Sequence, residues 1–561
     1  MEALRAVNRS ISTPGLLATV LDENRIQTVL ATPPLSPPLN EDRTNFNSLM
    51  AGINRDGKVL DIFAVGADTE PHSRLVLWDE GTDRSVNVVA RLRGDLGRVR
   101  RGSFGGMTLI MILSPTCEQG TKRVLAPIVL AEGTGDTLFD SGRRPSTVSS
   151  DSTRQVGIVS NEDVAPTILD FFGVPIPAEM NGSVIDVVDQ APLLKLEYQP
   201  PPFERYERYL AQRRMYVPIG TGAGIAVTLF GFACVALIWL RRRVPRIARV
   251  VGPWLALATP ALAIGLLAAG NLRTLNYTTV LPFVIGVTVV LPVAALTSRR
   301  NGVLRPPALL GAAVLVFFAA EALLGWPATL HTFIGGTALD GARFYGLPNV
   351  FIGLLLGSGL YLASVLRPYT GFVLLVGIGL FCGFPSLGAN FGAAVTLFAA
   401  AGLWLALSPR RGFGIRGLAI TMATVVAGTA LVLIANALAP AATHITGFVE
   451  EGGGRPGGLV DTFLNRLGIG WDLLMRNPFA FVPVVGVLAC LWLVLRPPRP
   501  IRVGLERYPH WRTALLVIIL GSMVAYLVND TGPAAAGLGF GLAIGGLFYV
   551  PLAEEPVKME R

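Results

Sequence analysis

The stretch VPIGTGAGIAVTLFGFACVALIWL, residues Val217 to Leu240, decides the fold class of this chain. Its 24 residues carry no charge. As a helix rising 1.5 Å per residue they span roughly 36 Å, which is more than the hydrocarbon core of a bilayer. Five arginines follow between Arg241 and Arg249. Because arginines beside a span stay on the cytoplasmic side, the pattern predicts a membrane helix that runs inward and leaves residues 1–216 outside the cytoplasm.

The composition of the whole chain is that of a multi-pass membrane protein. Of its 561 residues 51% are hydrophobic and 15% are charged, whereas a soluble protein carries about 25% charged residues. The net charge of +9 does not indicate nucleic-acid binding, because many basic residues lie in short loops between apolar runs, where they fix topology. The four cysteines form no CxxC pair and the four histidines are scattered, so the sequence favours neither a disulfide framework nor a histidine-rich metal centre.

Residues 217–552 predict an all-α polytopic membrane domain of about eleven transmembrane helices. Placed alternately inward and outward, the apolar runs have basic inner loops and outer loops with few positive charges, as the positive-inside rule requires. Residues 553–561 then form a cytoplasmic tail of a multi-pass cell-membrane protein. The runs start near Val217, Val251, Tyr277, Ala308, Asn349, Thr370, Phe391, Gly417, Phe479, Thr513 and Ala534.

The same topology gathers unusual polar residues at the outer ends of the spans. Polar groups at membrane depth are costly and are candidates for functional sites. An arginine there can hold a phosphate or carboxylate in two hydrogen bonds, and amides or an acid can bind sugar hydroxyls or a cation. The alternative is that these residues only cap helices and form turns. The candidate outer cluster consists of Arg343, Tyr345, Asn349, Asn390, Asn529 and Asp530.

Glu321 is the only acid well inside a predicted span. It is a candidate proton or cation site, or it pairs with a neighbouring helix. A secondary transporter with Glu321 and Asp530 as coupling groups is therefore one alternative function. Residues 217–552 show no clear inverted repeat of the kind that many transporters contain.

Residues 1–198 predict an extracytoplasmic α/β domain, and residues 199–216 a linker whose Tyr/Arg-rich part lies as an amphipathic helix at the membrane surface. Continuous apolar runs are typical of buried parallel strands, and a 3–4 residue spacing of apolar side chains predicts a helix over Val86–Val99. The first residues contain no apolar run of a signal peptide, so either the domain is cytoplasmic or the native N-terminus is longer, and we expect the second. The strand-like runs are Ile26–Ala31, Leu75–Trp78, Thr108–Leu113 and Pro127–Leu130.

The segment GIVSNEDVAPTILDFFGVPIPAEMNGSVI, residues Gly157 to Ile185, is the most informative part of this domain. Ser160 or Asn161 can cap a helix that Gly173 ends. The segment resembles the C-terminal signature of the alkaline-phosphatase superfamily, which includes sulfatases and phosphoethanolamine transferases. The resemblance is carried by Asp163, Pro166, Thr167, Ile168, Leu169, Gly173, Pro177, Met180 and Gly182.

The resemblance implies two metal ions held by Asp and His ligands, and a Thr, Ser or Cys nucleophile near the N-terminus. Where the family has an Asp-His pair, this chain has Ser114-Pro115-Thr116, none of which is a good ligand for zinc or manganese. Asp79 and Asp83 are weak candidates for a remaining metal ligand. We therefore expect a degenerate domain without its metals, and zinc or manganese only if the site is intact.

The order of an α/β domain followed by a long membrane domain is similar to that of the GPI ethanolamine-phosphate transferases. This resemblance implies an envelope protein that handles a lipid-linked or glycan phosphate, with the bilayer and that ligand as its partners. The alternative from the same family is an active metal-dependent phosphoryl or phosphoethanolamine transferase whose nucleophile lies in a missing N-terminal segment.

Overall fold

The chain folds into two compact units, Met1–Leu193 and Leu194–Arg561. The structure is a computed structural model. The structure describes residues 16–24, 27–32, 62–64, 74–78, 107–113, 128–134, 147–177, 180, 182–188, 202–240, 243–324, 328–335, 345–408, 414–438, 464, 468, 481–529 and 532–554.

The first unit combines short strands with helices. β1 lies between β2 and β3 and pairs with both in parallel. β4 and β5 form an antiparallel pair, as do β6 and β7. The described elements are α1 (Leu16–Glu23), β1 (Gln27–Thr32), β2 (Ile62–Ala64), β3 (Arg74–Trp78), β4 (Met107–Leu113), β5 (Ile128–Thr134), β6 (Thr147–Ser150), a 3-10 turn (Asn161–Asp163), α2 (Val164–Phe171) and β7 (Ile185–Val188).

All four apolar runs that predicted strands overlap strands, namely β1, β3, β4 and β5. The parallel pairing of β1 with β3 agrees with the expectation, whereas β4 and β5 run antiparallel. A continuous apolar run indicates burial on both faces, and it does not specify strand direction. The helix predicted over Val86–Val99 lies outside the described residues.

The small core of the first unit lies between its two helices. Leu21 of α1 and Leu169 of α2 are fully buried, and they form one hydrophobic cluster with Val20 and Val174. Met180 packs against this cluster from the segment that follows α2. The helix of the Gly157–Ile185 motif is therefore a core element of this unit.

The second unit is helical in its described residues, and every one of the eleven apolar runs predicted as spans forms a helix. Three further short segments are 3-10 turns or an amphipathic helix, α12. The elements are α3 (Pro202–Leu240), α4 (Pro245–Ala269), α5 (Tyr277–Leu296), a 3-10 turn (Thr297–Asn301), α6 (Arg305–Leu324), a 3-10 turn (Ala328–His331), α7 (Phe351–Ala363), α8 (Pro368–Gly383), α9 (Phe391–Ala406), α10 (Ile415–Ala437), α11 (Phe481–Leu495), α12 (Arg499–Arg507), α13 (Pro509–Val528) and α14 (Gly532–Ala553).

Seven of these helices are long and apolar enough to cross a membrane: α3, α4, α5, α6, α10, α13 and α14. α7, α8 and α9 are apolar but shorter, and α11 has 15 described residues. These helices are compatible with a membrane protein. The count of eleven spans and the orientation of the helices remain predictions.

α3 is a single helix of 39 residues that includes most of the segment predicted as a linker. Residues 202–216 were expected to form a separate helix at the membrane surface, yet they continue without interruption into the first span. Between Phe203 and Val217 the sequence has no glycine or proline to end a helix, so nothing local breaks the hydrogen-bond pattern. Pro218 lies inside the helix.

The core of the second unit is built around α7. Its residues are buried along nearly the whole helix, and a Cβ at Gly353 would collide with the backbone of Gly539 in α14. Such close approach of backbones through small residues is how apolar helices pack in a membrane. α3 and α10 by contrast expose large apolar side chains such as Phe232 and Val426, which is a surface suited to lipid.

Candidate ligand-binding site

Asn390 lies at the centre of the predicted outer cluster and is 1% exposed. As the N-cap of α9 it accepts a hydrogen bond on Oδ1 from the backbone N–H of Ala393 at 3.0 Å. Its Nδ2 donates to the carbonyl oxygen of Leu347 and to Oδ1 of Asn349, both at 2.7 Å. The structure thus brings two of the predicted residues, Asn349 and Asn390, into direct contact.

The segment 345–350 is joined to the turn 384–390 by backbone contacts as well. The N–H of Leu347 donates to the carbonyl of Gly388 at 2.7 Å. Gly346 has a φ of +76°, and a Cβ there would collide with that same carbonyl, so the close approach needs a glycine. Tyr345 directly precedes this contact and is half-buried.

Asn529 reaches the same place from the end of α13. It is 5% exposed and its Nδ2 donates to the carbonyl of Ala525 at 2.8 Å. A Cβ at Gly392, two residues after Asn390, would collide with the Asn529 side chain. Four of the six predicted residues therefore lie at this junction or beside it. Arg343 and Asp530 lie outside the described residues.

Glu321 does not lie alone in an apolar environment. Its Oε1 accepts hydrogen bonds from the backbone N–H and the Oγ1 of Thr329, at 2.9 and 2.7 Å. The carboxylate thus ties the end of α6 to the 3-10 turn that follows it. The geometry is that of an anchor for this turn, a role that sequence reasoning did not consider.

Sequence reasoning missed a group of polar residues of α3 that contact the same turn and the end of α4. Arg208 and Gln212 are one helical turn apart in α3, and both donate hydrogen bonds to backbone carbonyls at sequence separations of 62 to 120 residues. Tyr209 stacks on His331 with ring centroids 5.3 Å apart. The only signal in the sequence was a cluster of polar residues in a stretch assigned to a linker.

In the first unit, Asp163 of the Gly157–Ile185 motif is fully buried and holds the local structure together. Its carboxylate accepts from Ser150 Oγ at 2.7 Å and from the N–H groups of Ser160 and Ser183 at 2.7 and 2.9 Å. Ser160 caps the turn that leads into α2, as the sequence predicted. The motif's acid thus has three protein partners.

Thr167 of the same motif also serves the fold. Its Oγ1 donates to the carbonyl of Asp163 at 2.6 Å and accepts from the N–H of Ile185 at 2.8 Å. The motif therefore joins the start of α2 to β7. The hydrogen-bonding atoms of Asp163 and Thr167 are therefore paired within the fold, without a ligand.

A metal site is not formed by the described residues, among which no three His, Cys, Asp or Glu side chains are grouped to hold an ion. Asp79, Asp83 and the segment Ser114–Thr116 lie outside them. The expectation about zinc and manganese thus stays a prediction.

Comparisons of the chain with protein-family models, with curated proteins and with solved structures found no match. The resemblance to the alkaline-phosphatase superfamily therefore depends on the residues of the Gly157–Ile185 motif alone. What the geometry offers for chemistry is a set of buried amides, carbonyls and aromatic rings at the ends of apolar helices, which is suited to binding a polar group.

Proposed function

We propose that this chain is a multi-pass membrane protein of the cell envelope that binds a lipid-linked or glycan phosphate. The ligand binds at what we call the polar end of the helices, defined as residues 328–335, 345–350, 384–390 and Asn529. The observation that carries the proposal is the packing of residues 345–350, 384–390 and Asn529 around the buried Asn390, while Gly335 of residues 328–335 lies against Val350. Irregular backbone beside membrane helices is tolerated where it is buried in protein or lines a polar cavity.

The chemistry of the ligand follows from the residues that join these segments in the sequence. Arg343 lies between residues 335 and 345, and Asp530 directly follows Asn529. A guanidinium holds a phosphate through two parallel hydrogen bonds, and amide and carboxylate groups bind sugar hydroxyls. Tyr345 stands two residues from Arg343 and offers an aromatic ring for stacking.

The first unit is proposed to be a phosphatase-like domain that does not catalyse phosphoryl transfer. The sequence supports this reading, because Ser114-Pro115-Thr116 stands where the family has its Asp-His pair. An active transferase would need metal ligands from outside the described residues. Stoichiometric zinc or manganese in the purified chain, lost when Asp79 or Asp83 is replaced, would favour the transferase.

The experiment is to purify the full chain in a mild detergent, extract what it retains, and measure lipid phosphorus and sugar per protein. We expect phosphate-bearing lipid to remain bound after extensive washing. Arg343→Lys keeps the charge and loses the bidentate fork, so we expect retention to fall about tenfold, which corresponds to about 1.4 kcal/mol. Arg273→Lys, at an exposed arginine between α4 and α5, is the matched control.

Two results would contradict the proposal. One is a wild-type protein that retains no more lipid phosphorus than an unrelated membrane protein purified in the same way. The other is equal retention by Arg343→Lys and Arg273→Lys at equal expression. In that case the polar end consists of helix caps and turns only.

A further inference from the structure

A second group of buried polar atoms lies where α3 meets the end of α4 and the 3-10 turn Ala328–His331. Its first member is Arg208, whose NH2 group donates to the carbonyls of Gly270 and Leu272, both at 2.7 Å. These carbonyls follow the end of α4, where the helix dipole places partial negative charge. The Nε of Arg208 is buried and has no hydrogen-bond partner among the described residues.

Gln212, one turn further along α3, is fully buried. Its Nε2 donates to the carbonyl of Thr332 at 2.6 Å and lies 3.5 Å from that of Leu330. Because both neighbours are acceptors, the amide nitrogen must face them, and this fixes which end of the amide is the oxygen. Oε1 therefore points away from the turn, and it has no partner in the described part of the chain.

Asn271 repeats the pattern from α4. It lies between the two residues whose carbonyls Arg208 holds, and its Nδ2 faces the carbonyls of Leu267 and Ala328 at 3.5 and 3.4 Å. The same reasoning fixes its Oδ1 as the free end, and this atom too is buried without a partner among the described residues.

The three side chains approach one another through the turn that they hold. Gly270 lies so close to the turn that a Cβ there would collide with the carbonyl of His331. Each unpaired buried polar atom costs roughly 1–3 kcal/mol, so three such atoms on side chains that contact the same turn and helix end favour a bound group that pairs with them. The described residues supply no carboxylate that pairs with Arg208.

We propose that Arg208, Gln212 and Asn271 bind the phosphate group of a ligand. The guanidinium offers an N–H and a positive charge, whereas the two amide oxygens need donors. A protonated phosphate satisfies both demands, since it has charged oxygens that accept and a P–OH that donates. A carboxylate or a sulfate only accepts at neutral pH and leaves the amide oxygens unpaired.

This inference deepens the proposed function by placing the phosphate beside the turn 328–335, on its α3 side. The same chemistry is offered by a lipid whose headgroup is a phosphomonoester and by a free phosphate monoester. The site binds either of them, and the experiment below distinguishes the two sources.

The test measures binding of radiolabelled inorganic phosphate to the full chain in detergent by equilibrium dialysis near neutral pH. We expect saturable binding that sulfate competes for at least tenfold less well. Arg208→Lys keeps a charge that reaches the carbonyls but removes the Nε donor, and it should weaken phosphate binding about tenfold or more. Asn271→Asp keeps the side-chain shape, adds a repelling charge and should abolish binding. Arg273→Gln, which removes an exposed positive charge two residues away, should change binding less than about twofold.

Thermal unfolding of each variant checks that it folds. If Arg208→Lys does not fold, Asn271→Asp is the variant that tests the site. Absence of saturable phosphate binding by the wild type overturns the proposal, as does equal binding by folded variants or equal competition by sulfate. Nanodiscs of phosphatidic acid, whose phosphomonoester headgroup keeps a P–OH, identify a lipid headgroup if they displace the bound phosphate when nanodiscs of the phosphodiester phosphatidylcholine do not. Failure of both lipids to displace it identifies a free phosphate ester. The phosphate site at Arg208, Gln212 and Asn271 is then supported even if no lipid-linked ligand is retained at the polar end.

Discussion

Gly182 shows how a single position in the Gly157–Ile185 motif is determined by structure. Its φ of +95° is unfavourable for any residue with a side chain, and a Cβ there would collide with the carbonyl of Glu162. The following residue, Ser183, donates its N–H to the buried carboxylate of Asp163. The glycine of the signature is thus explained by this turn, whatever the domain's ancestry.

Gly182→Ala should therefore destabilise the motif by more than about 2 kcal/mol, because backbone strain and a collision add together. Gly173→Ala is the matched control: its φ is +66° but a Cβ there meets nothing within 4 Å, so we expect only about 1–2 kcal/mol of strain. Amide hydrogen exchange of peptides from residues 157–188 in the full chain measures both opening free energies. Equal effects of the two substitutions would show that the turn is not as tightly packed as the structure indicates.

At the residue scale the sequence predicted which side chains are unusual better than what they do. Asn349, Asn390 and Asn529 stood out because amides are costly beside apolar spans. Their contacts, such as the 2.7 Å bond between Asn390 and Asn349, depend on segments 41 residues apart and leave no local pattern. The contacts of Arg208 and Gln212 depend on still longer separations, and sequence reasoning missed both.

At the scale of elements, the junction of α12 and α13 is tied to the end of α14. The Tyr508 hydroxyl donates to Glu554 Oε1 at 2.6 Å, and Arg507 forms an ion pair with Oε2 of the same residue at 3.3 Å. Burial raises the pKa of Tyr508 to about 12, and the hydrogen bond and charge of Glu554 add to the shift. The folded protein therefore keeps this proton at pH values where an unfolded chain, with a tyrosine pKa near 10, loses it.

The sign of the pH effect follows from linkage. The stabilisation from Tyr508 is fully present below pH 10 and is lost as the pH rises towards about 12, because over this range the folded state binds more protons than the unfolded one. Tyr508→Phe lacks the hydrogen bond to Glu554, and its stability does not fall through titration of this side chain as the pH rises. We expect the gap in Tm between wild type and Tyr508→Phe to be largest below pH 10 and to shrink by pH 12. A gap that stays constant over this range would contradict the raised pKa.

The elements themselves were the most predictable part of the fold. Each of the eleven apolar runs is a helix because a chain segment in an apolar environment must satisfy its own backbone hydrogen bonds. The starts of runs such as Phe391 and Tyr277 agree with the observed helices. The direction of β5 and the continuity of α3 were not predictable in the same way. The direction of β5 depends on its partner strand. The continuity of α3 depends on the absence of a local helix breaker, which a search for apolar runs does not detect.

At the scale of the whole molecule, most described arginines of the second unit lie at one set of helix ends, whereas Arg208 and Arg273 lie at the other. Arg299 and Arg300 lie between α5 and α6, Arg305 begins α6, and α12 alone contributes three more arginines. The opposite ends contain the polar end and its asparagines. Under the positive-inside rule this asymmetry predicts that the arginine-rich ends face the cytoplasm, which would expose the polar end to the outside, where an envelope ligand is available.

The orientation can be tested on a single helix, since Thr274 and Asn301 are both exposed and lie at opposite ends of α5. A helix of 20 residues spans about 30 Å, so the two positions fall on different sides of a bilayer if α5 crosses it. In a background whose native cysteines are replaced, we expect an impermeant maleimide to label Thr274→Cys in intact cells, and Asn301→Cys only after permeabilisation. The reverse pattern would invert the whole membrane unit and place the polar end in the cytoplasm. Labelling of both positions in intact cells would show that α5 does not cross. Either result would remove the topological support for an extracytoplasmic ligand, while the contacts around Asn390 and Arg208 would remain as described.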